Sequence, residues 1–212
     1  MSHAQAALLE QFLASGATCI GEVAITTEPQ GGFTLTHRDE RGSNDLQTLE
    51  STHEITRYDD GGNYRPLKTA PNLRHGWTLR APSLLELARA IDDIYPARLA
   101  ALSSFQKHDL QTTALRDTLA RQSGMYRVAA RISDQPLDEL VGGFCRSDGG
   151  CLRTILWQRD ASGSAPSTRL PPQKFDPAHD QLGREERAIP LLCQEACNLL
   201  VAAAREVAKA ST

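Results

Sequence analysis

Four cysteines constrain this chain more than any other feature. Cys145 and Cys151 lie in "GGFCRSDGGCLRTILWQ", and Cys193 and Cys197 lie in "PLLCQEACNLL", giving a C-x5-C pair followed at distance by a C-x3-C pair. The chain of 212 residues has only five cysteines in all, and an odd count argues against a disulfide framework. The opening stretch, "MSHAQAALLEQFLASGA", lacks the basic region and continuous apolar run of a signal peptide. No run is apolar for long enough to span a bilayer. The expected setting is therefore the reducing cytoplasm, where disulfides are rare. Clustered thiols in that setting read as metal ligands.

The spacing bears on which metal. Zinc sites favour roughly two to four residues between paired cysteines, so a five-residue gap is wide for zinc. A cubane iron–sulfur cluster is larger and accepts thiolates from more widely separated positions, one for each of its irons. Gly149 and Gly150, just before Cys151, permit the backbone angles needed to wrap a short loop around such a body. Cys193 and Cys197 are four apart in a segment predicted to be helical, which would place both thiols on one face. They would sit in its first turns, where the positive end of the helix dipole favours an anionic centre. The readings open at this point are a [4Fe-4S] cluster, a zinc ion, and four buried apolar thiols without metal. "LLCQEACNLL" suits the last reading, because cysteine is a common core residue. A loop cysteine beside Gly-Gly suits it poorly. Cys19, alone in "GATCIGEVAI", reads as a core or half-buried thiol.

The length suits one large domain or two small ones with a real core. A net charge of −3 suggests no bulk attraction to nucleic acid or an anionic membrane. The expected fold class is α+β: a small, mostly antiparallel sheet, several helices, and a long C-terminal helix carrying two of the cluster ligands. Residues 1–123 are expected to form an N-terminal α+β lobe, and 124–212 an iron–sulfur cluster-binding lobe. In the first, Ala4 to Ala14 reads as a helix and "TCIGEVAITTEPQGGFTLTHRD" as a hairpin turning at Glu28 to Gly32. A third strand is expected near Glu54 to Tyr58. Ser83 reads as the N-cap of "LLELARAIDDIY", with Glu86 completing a capping box. Pro96 breaks the chain there, and "ARLAALSSFQ" and "LQTTALRDTLARQ" follow as helices. In the second lobe "GMYRVAARI" reads as a short strand, Ser133 as the cap of a helix ending near Cys145, and "LRTILWQ" as a strand. Pro190 suits the first position of a final helix running to the end of the chain.

The stretch "SGMYRVAARISDQPLDELVGGFCRSDGGCLRTILW", taken with "IPLLCQEACNLLVAAAREV", resembles the [4Fe-4S] cluster-binding domain found C-terminal to CbiX-type sirohydrochlorin chelatase domains. The cysteine order is also similar to that of sulfite and nitrite reductases, where a cluster is coupled to sirohaem. The chain is far too short to be such a reductase. The resemblance covers about Gly124 to Val207, and its most specific part is the cysteine pattern. It implies a [4Fe-4S] cluster held by Cys145, Cys151, Cys193 and Cys197 in a protein linked to sirohaem or cobalamin synthesis. Its partner would be a tetrapyrrole-biosynthesis enzyme or an electron-transfer protein, with no role for nucleic acid or membrane. No chelatase domain is expected within these 212 residues, because the six histidines are scattered and no repeated βα pattern is seen. The function expected is thus a cluster-binding redox or accessory protein. The alternative is a module stapled by a cluster or zinc, without redox activity.

Three further groups stand out. "YRPLKTAPNLRHGWTLR" carries Arg65, Lys68, Arg74, His75, Trp77 and Arg80, which could receive tetrapyrrole carboxylates or an acidic partner. The plainer reading is a solvated segment anchored by Trp77. Tyr126, Arg127 and Arg131 precede the cluster loop and Arg146 and Arg153 flank its cysteines, where cations or N–H donors would offset cluster charge; the plainer reading is ordinary surface arginine. His37, His53 and His75 are spaced too irregularly to read as a metal site, and Asp92-Asp93 reads as a solvated helix face.

Overall fold

A computed structural model describes residues 3–57, 73–145, 154–155, 187–193 and 196–210. In chain order the elements are α1 (His3–Ala14), β1 (Cys19–Ile20), β2 (Val23–Thr27), β3 (Phe33–His37), β4 (Gln47–Leu49), α2 (Thr52–Arg57), β5 (Trp77–Ala81), α3 (Leu84–Ile94) and α4 (Arg98–Gln106). They continue with α5 (Leu115–Ala120), α6 (Asp134–Cys145), β6 (Thr154–Ile155), β7 (Ala188–Ile189), β8 (Leu192–Cys193) and α7 (Asn198–Ala210). Short 3₁₀ turns occupy Arg38–Glu40 and Ala129–Arg131. The class is α+β. The described residues fall into two compact units: one holds those up to Lys107 together with 187–191, and the other runs from His108 to Ile155 and from Leu192 onward. His108 itself has φ 58°, a left-handed turn at the point of division that histidine tolerates better than most residues.

In the N-terminal unit the strands form one sheet in the order β4-β5-β3-β2-β1-β7. The β2–β3 hairpin is the predicted one, with Thr27 opposite Phe33 and Val23 opposite His37. Its turn closes through Glu28 N–H to Gly32 O and Gly31 N–H to Glu28 O, each 3.0 Å. The sheet is mixed rather than antiparallel throughout, because β4 runs parallel to β5, and β7 runs parallel to β1. Local hairpin chemistry cannot announce these pairings. β7 comes from far along the chain, and strand β5, which starts at Trp77, was concealed in a turn-rich stretch. Trp77 is fully buried and its indole N–H donates to Arg74 O at 2.5 Å.

Helix α3 packs against β5 and also touches α1, α2 and α4. Its apolar face is Leu87, Ala88, Ile91 and Ile94, spaced as one helical stripe. Ser83 caps it as expected, its hydroxyl accepting Glu86 N–H at 3.2 Å. Pro96 separates it from α4, with Ala97 at φ 62° taking the turn. The Asp92-Asp93 pair is more than a solvated face. Asp92 Oδ1 accepts Ala97 N–H at 3.1 Å, and Asp93 Oδ2 accepts the Thr52 hydroxyl at 2.9 Å, tying α2 to α3. The third strand expected near Glu54 is instead the short helix α2, whose Ile55 is fully buried; Tyr58 lies outside the described residues.

The described residues of the C-terminal unit are mostly helical. Leu115, Leu119, Met125, Ile132, Leu137 and Leu200 build its core. α6 packs on α7. The segment read as a strand, "GMYRVAARI", instead makes consecutive turns and a 3₁₀ helix, with Val128 N–H bonding to Met125 O and Ala129 N–H to the same carbonyl. Those bonds drop Met125, Ala129 and Ile132 into the core while Tyr126 and Arg127 stay outside, the guanidinium lying 5.2 Å over the exposed phenol ring. The two-stranded sheet β6–β8 is parallel, with Thr154 opposite Leu192 and Ile155 opposite Cys193.

Candidate iron–sulfur centre

Three of the four predicted ligands fall on described backbone in the C-terminal unit. Cys145 is the last residue of α6. Cys193 lies on β8, paired with Ile155. Cys197 comes immediately before α7. Cys151 lies outside the described residues, as do Gly149, Gly150, Arg146 and Arg153. Thr154, three positions after Cys151, begins β6, so the chain leaving that cysteine enters the strand beside Cys193.

This corrects the expectation that Cys193 and Cys197 share one helical face. The final helix begins at Asn198, not at Pro190, and Cys193 is on a strand. Two causes act together. A residue preceding proline is driven toward extended backbone, and Ile189 accordingly sits in β7. Leu191 and Leu192 are then both buried, and β8 finds a parallel partner in β6, so tertiary pairing prevails over the helical pattern. The two cysteines therefore approach from a strand and from a helix start, which offers more separated ligand positions than one helical turn would.

Cys197 is half-buried and not disulfide-bonded. Its Sγ accepts Leu200 N–H at 3.5 Å, and its carbonyl accepts Val201 N–H at 2.9 Å. The sulfur thus stands at the N-terminus of α7, satisfying one of that helix's orphan donors. A ligand sulfur in this position receives both a hydrogen bond and the positive end of the helix dipole, each of which suits an anionic metal–thiolate centre. The donor set and this local geometry fit a four-thiolate iron–sulfur cluster. Below the helix start, Leu200 anchors α7 in the core at 1 % exposure, and Arg205 Nη2 donates to Ser123 O at 2.6 Å. The Arg116 guanidinium donates to Ile132 O, and burial holds its pKa below the ordinary arginine value, with Asp134 and Asp117 acting in the opposite sense.

A second constellation lies in the N-terminal unit, and the irregular spacing of its members hid it. His37 ends β3, Asp39 sits in the following 3₁₀ turn, and His75 precedes β5; each offers one ligand atom, all within 4.8 Å of one another. The two imidazole centroids are 3.9 Å apart with planes tilted by 45°. Adjacent antiparallel strands β3 and β5 bring them together, since the end of one strand lies beside the start of the other. His53 is exposed on α2 and does not join them. Burial, and then the neighbouring His75, lower the His37 pKa; Glu22, Asp39 and Glu40 work against that shift. Cys19 is half-buried at the start of β1, its thiol 3.8 Å from Arg187 O. Of the basic segment, Arg74 reaches Gln47 Oε1 at 3.4 Å and Arg80 is exposed on β5, while Arg65 and Lys68 lie outside the described residues.

Comparison with known proteins agrees with this division. Residues 107–206 match the model of a 4Fe-4S iron–sulfur cluster binding domain. Residues 4–106 match that of the DR2241 stabilising domain. The crystal structure of DR2241 from Deinococcus radiodurans matches with a TM-score of 0.69 and 28% identity, over 98% of this chain and 42% of that one. That protein is described as multi-domain, with structural similarity to chelatases and two additional novel domains. The present chain therefore spans less than half the length of the solved structure it matches. No curated protein matches. Among the described residues no helix is long and apolar enough to cross a membrane. The chain thus joins a region similar to the DR2241 stabilising domain, residues 4–106, to a region similar to a 4Fe-4S iron–sulfur cluster binding domain, residues 107–206.

Proposed function

We propose that Cys145, Cys151, Cys193 and Cys197 together hold one [4Fe-4S] cluster, and that the protein uses it to exchange single electrons with a tetrapyrrole-biosynthesis enzyme in the cytoplasm. The observation supporting this reading is that Cys145 ends α6, Cys193 lies on β8 and Cys197 directly precedes α7, all within one compact unit that matches a cluster-binding domain. When bound, the cluster supplies a one-electron couple. The chain's own groups hold and tune it. Leu200 N–H draws negative charge from Cys197 Sγ, which raises a cluster's potential. Four thiolates for four irons leave no iron open to substrate, so the protein's part is electron transfer and docking rather than Lewis-acid chemistry. The link to tetrapyrroles rests on the sequence resemblance and on the chelatase-like character described for the Deinococcus protein.

A second reading, a structural staple, has its own support. Strands β6 and β8 are two residues each, too short to be stable by pairing alone. A cluster bound on both sides of them would fasten α6, β8 and α7 together.

The test is anaerobic purification with iron, sulfide and zinc assayed on one sample, followed by paramagnetic resonance and voltammetry. About four irons and four sulfides per chain, lost in Cys197→Ser and Cys193→Ser, support the ligand assignment. A reversible one-electron couple supports the redox role. One zinc and no sulfide refutes both. A cluster that cannot be reversibly reduced, but whose removal unfolds the C-terminal unit, selects the staple.

A further inference from the structure

We infer that His37, Asp39 and His75 bind one divalent transition-metal ion of the zinc class, with a coordination position left open to solvent. This goes beyond the cluster reading and does not depend on it.

The three groups already lie near one another, each offering one ligand atom within 4.8 Å of the others. Asp39 Oδ2 lies 3.6 Å from His37 Nδ1 and 3.9 Å from His75 Nε2, so one carboxylate oxygen faces both rings. Ligands on a tetrahedral zinc with bonds of about 2.0–2.1 Å sit about 3.3 Å apart. The carboxylate thus needs only a short approach to each ring, while the His75 imidazole, its centroid 3.9 Å from that of His37, must turn so that both nitrogens face one point; the His75 and Asp39 side chains are 46% and 70% exposed. His37 is buried and fixed. Its Nδ1 accepts Asp39 N–H at 3.3 Å, so that nitrogen already presents its lone pair on the Asp39 side, and coordination would replace one long hydrogen bond.

The loop carrying His75 is held on both flanks. Glu40, next to Asp39, accepts Gly76 N–H with both carboxylate oxygens at 2.9 and 2.8 Å. Gly76 O in turn accepts Gln47 N–H at 2.9 Å. On the other side Trp77 Nε1 holds Arg74 O. Gly76 has φ 78°, a left-handed conformation that side chains resist, so this turn is built for glycine. The carboxylate holding the His75 loop thus comes from the same 3₁₀ turn that supplies Asp39. That is the support a metal centre requires around its direct ligands.

Charge and ligand type choose the ion. Glu22, Asp39 and Glu40 all act electrostatically on His37, so the surroundings are acidic and suit a cation. Arg38 lies between His37 and Asp39 in sequence, and its guanidinium donates to Gly21 O at 3.3 Å. Two imidazoles with a single carboxylate favour zinc, cobalt or nickel over magnesium or calcium, which prefer all-oxygen shells. Three protein ligands are the number found where a fourth position is kept for water or an exchangeable ligand.

Cobalt(II) is the probe, added without oxygen to the full-length, cluster-loaded protein carrying no affinity histidines. The expected result is one cobalt per chain, with visible d–d bands of nitrogen and oxygen coordination and no thiolate charge-transfer band. His75→Ala and Asp39→Asn should each weaken binding at least about tenfold. Both residues are exposed, so these variants should keep the metal-free melting temperature, whereas His37→Ala could unfold. Absence of stoichiometric binding overturns the inference. So does binding that His75→Ala leaves unchanged. A thiolate band would place the cobalt on cysteines, which counts against this site and also against full occupancy of the cluster.

Discussion

Leu200→Ala probes whether α7, which begins directly after Cys197, is anchored in the C-terminal core. Leu200 is 1 % exposed and packs in the cluster formed with Leu115, Leu119, Met125, Ile132 and Leu137. Truncation removes the equivalent of about three buried methylenes, or about 2.4 kcal/mol at roughly 0.8 kcal/mol each. Incomplete collapse of the cavity brings the usual range to about 2–5 kcal/mol, and about 3 kcal/mol is expected here. The substitution leaves the Leu200 N–H, which donates to Cys197 Sγ, in place. It therefore separates anchoring of the helix from the hydrogen bond to the ligand. Hydrogen exchange on the metal-free protein is the assay, because the two units need not open together. Amides of α6 and α7 should lose protection by about a hundredfold, at 1.4 kcal/mol per tenfold, while those of α3 and β5 hardly change. A loss under tenfold in α7, or an equal loss in α3, would refute the claim that Leu200 anchors a separate C-terminal core.

Three other outcomes are expected in the N-terminal unit. Ser83→Ala removes the cap on α3 and should cost about 1 kcal/mol in denaturant unfolding; an unchanged midpoint would contradict the cap. Gly21→Ala should destabilise by about 2 kcal/mol or more, because Gly21 has φ 55° and a Cβ there would lie 2.7 Å from the Tyr95 hydroxyl, itself hydrogen-bonded to Glu22 N–H at 2.8 Å. A melting temperature equal to wild type would show that this packing is not as described. For metal-free protein, the lowered His37 pKa means the unfolded chain takes up a proton that the folded one resists. This contribution is fully present above about 6.5 and is lost as pH falls from there toward the folded-state pKa. Burial sets it first and His75 second, while Glu22, Asp39 and Glu40 oppose it. Stability should fall over that window in wild type, and His37→Gln should remove this part of the slope.

Much of this molecule is written in local chemistry. The hairpin at Glu28 to Gly32 needs left-handed residues at its turn, and Gly31 and Gly32 supply them at φ 92° and 91°. Ser83 starts α3 and Pro96 ends it, because a hydroxyl cap and a missing N–H act within a few residues. The four cysteines left a cluster, a zinc ion and metal-free thiols open by residue type and order, and the resemblance to a cluster-binding domain favoured the [4Fe-4S] cluster. What was misread is where a remote partner outweighed local preference. Leu191–Leu192–Cys193 has a pattern compatible with helix, yet β8 extends to pair with β6. "GMYRVAARI" has strand-like composition, yet turns because Met125, Ala129 and Ile132 all reach the same core.

The sequence by itself pointed to the 4Fe-4S cofactor class and determined the α+β class, the hairpin and the cap on α3, since each depends on residue type or on near neighbours. Tertiary structure alone decided the mixed sheet, the approach of Cys193 from a strand, and the meeting of His37 with His75. In the last case the chain separation is large and the pattern carries no period. Only the register of β3 against β5 places the two imidazoles together, and that register is set by burial of the sheet as a whole.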